Sequence, residues 1–197
     1  MTISEHTLIA DIACDVPSSV PVFERHGVEW TTASLHDLTQ HIVTTYHDPL
    51  RAELPRLELL AARVARIHGA KAPRLLQRIE SAIRELSRDL TIHMRKEERL
   101  LFRGICGLEY SGECALPLTE AIRVAESEHH RAGTLLAGLR AMTDGFTLPD
   151  WACPSTRALY EGLATLESAM HIHAHLENNV LFPQALKLAD AMAGSWT

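Results

Sequence analysis

Along one stretch of the chain, Ile79, Ile83, Leu86, Leu90, His93, Glu97 and Leu100 follow one another at spacings of 4, 3, 4, 3, 4 and 3 residues. Side chains return to one face of an α-helix at that interval, so the run reads as a buried stripe. It puts a histidine and a glutamate where the interior should be. The pattern recurs in Leu159, Leu163, Leu166, Met170, His173, Glu177 and Val180. Two further stripes carry histidine without glutamate: Leu118, Ile122, Ala125, His129, Ala132, Leu136, Leu139, and Val43, His47, Leu50, Leu54, Leu57, Ala61, Val64, His68. A buried carboxylate without a partner costs several kcal/mol or takes up a proton. Two glutamates and at least four histidines turned inward therefore need a shared partner.

Period-two alternation never persists, whereas apolar residues at three- and four-residue intervals run through most of the chain, which predicts an all-α protein. Loop signals separate four long helices. They run from about Ser34 to His68, from about Pro73 to Arg103 with a stop at Gly104, from about Pro117 to Thr143, and from about Ser155 to Ala189. Mostly short connections favour an up-down-up-down antiparallel four-helix bundle over residues 34–190, followed by a tail at 191–197. Residues 1–33 read as two short helices around Pro17 and Pro21, an appendage too small for its own core. Pro49 and Pro55 fall inside the first helix, where an interior proline costs about 3 kcal/mol and usually kinks the rod.

Several function classes drop out. No uncharged apolar stretch approaches the roughly 20 residues needed to cross a bilayer, and the first residues have neither the basic start nor the apolar run of a secretory leader. The cytoplasm is the expected location. Lys+Arg number 19 against 25 Asp+Glu, a net charge of −6 with no basic block, which argues against nucleic acid as a partner. Cys14, Cys106, Cys114 and Cys153 show no CxxC spacing, which suits a reducing compartment and argues against a zinc ribbon.

A metal pair would satisfy the inward-facing polar groups. In His93/Glu97 and His173/Glu177 the two side chains share a helical face about 6 Å apart in rise, so one can cap a metal while the other bridges to a second. Imidazole and carboxylate in a bundle core suit iron or manganese. The segments HMRKEERLLF and HAHLENNVLF repeat His, Glu and Leu-Phe at matching offsets, as a pseudo-two-fold axis through a dinuclear centre requires. His171 and His175 lie about 160° from His173 and His130 about 100° from His129, so these face elsewhere. His6, His26, His36 and His41 belong to no stripe. His68 shares the stripe of His47 but lies 21 residues further on, about 31 Å along a helix, too far to bind the same centre. Glu128, beside His129, reads either as an outer base or gate residue or as a solvated glutamate.

YHDPLRAELPRL around His47, RVARIHG at His68, HMRKEERLLF, ESEHHRAG at His129 and HLENNVLFP resemble, in order, the hemerythrin-like domain of the iron–sulfur cluster repair family. The resemblance covers about residues 34–186, and TLIADIACDVPSSVPVFERHGVEW resembles that family's small N-terminal domain. It implies two iron ions in an oxo-bridged di-iron centre, with His47, His93, His129 and His173 as ligands and Glu97 and Glu177 as bridges. It also implies restoration of clusters damaged by nitric oxide or oxidants, with NO or O2 bound at the irons and apo-cluster proteins as acceptors. His68 matches a histidine typical of the family, so a role for it as an outer or gate residue, like Glu128, stays open although geometry keeps it from binding the metals. One departure is plain: where the family carries adjacent cysteines, this chain has Glu29, Trp30, Thr31 and Thr32.

Three functions are compatible with this reading: an iron donor in cluster repair, a carrier or sensor of O2 or NO, and an oxidoreductase reducing NO or peroxide with a separate electron donor. The first is favoured. An oligomer is compatible with all three.

Overall fold

Among the described residues the first helix follows Ser34, whose hydroxyl accepts the Asp37 backbone N–H at 3.0 Å and so caps the first turn. The Glu109 carboxylate accepts the next two N–H groups, from Leu35 at 2.7 Å and His36 at 2.9 Å. The computed structural model describes residues 34–194. The appendage expected over 1–33, with His6, Cys14, His26 and the Glu29–Thr32 departure, lies outside the described residues, as do residues 195–197.

Four rods follow. The first is α1 (Leu35–Ile42), a π turn (Val43–His47) and α2 (Asp48–His68). The second is α3 (Pro73–Lys96), a π turn (Glu97–Leu101) and α4 (Phe102–Ser111). The third is the uninterrupted α5 (Leu118–Met142). The fourth is α6 (Pro154–Leu176), a π turn (Glu177–Leu181) and α7 (Phe182–Gly194). Helix α2 packs on α3 and α6, and α5 packs on the same two, which closes the ring of an antiparallel four-helix bundle. Among the described residues no helix is long and apolar enough to cross a membrane.

Three expectations need correction. The second rod does not stop at Gly104 but runs to Ser111 and turns at Gly112, φ +70°. Gly104 is small because a Cβ there would lie 2.2 Å from Leu116 and 3.2 Å from Cys114, so it admits the returning loop without ending the helix. The fourth rod likewise runs on to Gly194, four residues into the expected tail. Third, Leu100 is 63% exposed, while Leu101 and Phe102 are buried. Each π turn inserts one residue into the helical repeat, with Phe102 N–H bonded to Glu97 O and Phe182 N–H to Glu177 O. The apolar face therefore slips by one position, from Leu100 to Leu101 and from Val180 to Leu181, and in the first rod from Val43 to Ile42. Pro49 follows the first π turn directly and Pro55 lies on the exposed side of α2, and the rod stays helical through both.

The interior has two apolar clusters. One gathers Leu50 to Val64, Leu76 to Met94, Ala132 to Leu139 and Leu159 to Met170. The other gathers Leu35 to Tyr46, Leu101 to Leu108, Leu118 to Ala125 and Leu176 to Ala185. On every rod the inward histidine falls at the junction of the two.

Candidate metal centre

At that junction six side chains meet. His93, Glu97, His129, His173 and Glu177 each offer a ligand atom, all within 4.8 Å of one another. His47 joins them, its Nε2 3.2 Å from His173 Nε2 and 3.4 Å from Glu97 Oε2. All six are between 0 and 6% exposed. The histidines form two pairs, His47 with His173 and His93 with His129, the latter 3.0 Å apart between Nε2 atoms. Each glutamate touches one histidine of each pair. Glu97 Oε2 is 3.4 Å from His47 and 3.2 Å from His93, and Glu177 Oε2 is 3.1 Å from His173 and 3.0 Å from His129.

The outer nitrogens set the tautomers. His47 Nδ1 donates to Glu98 at 2.7 Å, His93 Nδ1 to Glu128 at 3.0 Å and His129 Nδ1 to the Asn178 side-chain oxygen at 2.9 Å. A carboxylate or amide oxygen can only accept, so the proton of each neutral ring lies on Nδ1 and the Nε2 lone pair points inward. The four carboxylate oxygens of Glu97 and Glu177 are buried and, among the described residues, receive no well-aligned hydrogen bond. At His47, His93 and His129 acceptors thus face acceptors at 3.0–3.4 Å, an arrangement that a cation relieves.

The electrostatics agree. Burial, then the charge of Glu177, holds Glu97 well above the usual carboxylate range. Burial also pushes Glu177 upward, but His173 and His129 override it and keep it low. His47 is pushed down to about 4 by burial and by His173, and His93 is lowered chiefly by burial. Burial is the largest influence on His129 and lowers it, yet Glu177, Asn178 and Glu128 together outweigh it and leave the ring raised. Glu128 is lowered to about 2, first by its bond to His93, with Lys96 adding to it.

Two cavities reach this layer. One of about 320 Å³ is walled by Leu100, Leu101, Leu116 and Val124 and ends on Glu97. The other, about 200 Å³, lies beside His93, Asp89 and Arg131. The Lys96–Glu128 ion pair borders both.

The other described histidines fall elsewhere. His68 stands at the far end of the apolar cluster, its ring 4.9 Å from Trp151 and against the Cys153 thiol. His130, His171 and His175 are exposed; His36 lies by Cys106 and His41 by Tyr46. Sequence reasoning passed over Glu98, Asn178 and Tyr46. The first two occupy equivalent places in the repeated segments, directly after Glu97 and Glu177, and that echo was their signal.

The chain matches the hemerythrin HHE cation-binding domain over residues 38–185. It is 40% identical over 163 residues to the iron-sulfur cluster repair protein YtfE of Cronobacter sakazakii, covering 80% of this chain and 69% of that one. The protein of the same name from Yersinia pseudotuberculosis is 41% identical over 171 residues, 83% and 72% of the two chains. That from Edwardsiella ictaluri is 41% identical over 160 residues.

Proposed function

This chain belongs to the hemerythrin HHE family and, within it, to the iron–sulfur cluster repair proteins, and from that premise we propose that it holds two iron ions and yields iron to damaged iron–sulfur proteins. His47 and His173 would serve one ion, His93 and His129 the other, and Glu97 and Glu177 both. The observation that supports this most is the convergence of inward Nε2 lone pairs on buried carboxylate oxygens that receive no aligned donor. Imidazole and carboxylate without thiolate suit iron. Bound there, an oxo-bridged iron pair supplies a redox-active Lewis acid for a diatomic ligand.

The protein's own contribution is positional. Glu98, Glu128 and Asn178 hold three imidazoles in the tautomer that a metal needs, and such outer partners raise ligand basicity. The apolar walls of the cavity at Glu97 favour entry of NO or O2 over ions, which supports damage by nitric oxide or oxidants as the trigger. Free thiols at Cys106, Cys114 and Cys153 support the cytoplasm as the working compartment.

The first test is elemental analysis with the near-ultraviolet and visible spectrum, on protein purified without added metal. About two irons per chain and an oxygen-to-iron band are expected, and His93→Ala and Glu97→Ala should each lower both. Iron should then pass to an apo-cluster protein. Zinc, or unchanged iron in both variants, would sink the site. Two irons retained in the presence of the acceptor, with reversible spectral change under O2 or NO, would make the protein a carrier instead.

A further inference from the structure

The two halves of the centre are related by the repeat that joins the second and fourth rods. His93 corresponds to His173, Glu97 to Glu177 and Glu98 to Asn178. The outer bonds follow the same relation: Glu98 of the second rod holds His47 of the first, and Asn178 of the fourth holds His129 of the third. The residues preceding the ligands of the first and third rods should correspond too, and there the relation fails. Glu128, before His129, accepts the Nδ1 proton of His93. Tyr46, before His47, stacks on His173 instead, ring centroids 5.5 Å apart and planes 5° from parallel. His173 Nδ1 is buried and has no hydrogen-bond partner among the described residues.

Net charge does not offset this difference. Each half has one outer carboxylate, Glu98 or Glu128, and each carboxylate is paired with one cation, Arg51 or Lys96. What separates the halves is one hydrogen bond. When His173 offers its Nε2 lone pair to a metal, its proton must sit on Nδ1, in a buried position with no acceptor. An unsatisfied buried donor is unfavourable, and losing the outer partner of a metal-bound histidine typically lowers affinity 10–100-fold.

We infer that the His47–His173 half is the exchangeable one, from which iron leaves, while the His93–His129 half retains its metal. This rests on the proposed two-iron centre. It assigns Tyr46 and Glu128 opposite positioning roles: the stack keeps His173 in place without strengthening it as a ligand, and the carboxylate strengthens His93.

The test uses the full chain loaded anaerobically with two equivalents of iron(II) and challenged with an excess of a coloured iron(II) chelator. Release should be biphasic, with one equivalent leaving about 10–100-fold faster than the other. Anomalous diffraction from crystals of the one-equivalent species should place the remaining iron at His93 and His129. Glu128→Gln should speed the slow phase and leave the fast phase unchanged, whereas Glu98→Gln should speed only the fast phase. A single phase, or iron remaining at His47 and His173, would overturn the inference while leaving the two-iron reading intact. Fewer than two equivalents bound at the outset would defeat that reading, and the inference with it.

Discussion

The metal layer and the apolar layer beside it are built by the same four rods along the same stripes, yet only one is complete without help. Leu57, Val64, Ile79, Ile83, Leu139 and Leu163 interlock with no polar atom to satisfy. One step along each rod, His47, His93, Glu97, His129, His173 and Glu177 are just as buried but present lone pairs to lone pairs. The backbone differs too: among the described residues the three π turns fall in or beside the polar layer, at Val43–His47, Glu97–Leu101 and Glu177–Leu181. Burial of equal depth therefore serves stability in one layer and ligand binding in the other, and substitutions should change sign between them.

The largest effect is expected in the apolar layer. Leu163, fully buried, should cost about 2–5 kcal/mol when changed to alanine, through lost transfer energy and a residual cavity. Denaturant unfolding should give the same loss with and without iron. An iron-dependent loss would mean that the two layers are not independent. The next effect has the opposite sign. Glu97→Met removes a buried carboxylate without opening a cavity, so the metal-free chain should gain about 1–4 kcal/mol while its iron content falls. Destabilisation of the metal-free form would show that the carboxylate is satisfied without metal.

Much of this contrast was legible in the sequence because a helical stripe is a purely periodic object, and His93, Glu97, His173 and Glu177 lie on unbroken stretches of it. The period failed at the π turns. They add a residue with no compositional signature, so Leu100 and Val180 were assigned to a face that Leu101 and Leu181 occupy. The stop expected at Gly104 failed for a related reason: a glycine that relieves a tertiary clash with Leu116 has the same local signature as one that ends a helix. Glu98, Asn178 and Tyr46 act across rods, on histidines of a neighbouring helix, and spacing within one helix does not report on them.

His68 sharpens the comparison further, since it continues the stripe of His47 through the apolar layer to its far side. There the thiol of Cys153, at the start of α6, is lowered to about 6 by His68 first and by Thr156 next. Its thiolate should persist down to about pH 6 and be lost below it, so alkylation of Cys153 followed by peptide mapping should rise with a midpoint near 6. His68→Ala should move that midpoint up toward the ordinary thiol range near 8.5 and leave iron content unchanged. Loss of iron in that variant would extend the metal layer across the whole apolar cluster.

The smallest effect tests the boundary of the metal layer within one helix. His173 and His175 are two residues apart on α6, yet His173 is buried among the converging histidines and glutamates, whereas His175 is exposed and bonds Asn179 one turn on at 3.1 Å. His173→Ala should lower iron content, while His175→Ala should leave it intact and change stability by less than about 0.5 kcal/mol, as surface substitutions do. The pair differs in helical phase by about 160° and in almost nothing else. Equal iron loss from both would mean that phase on the fourth rod does not select the ligands.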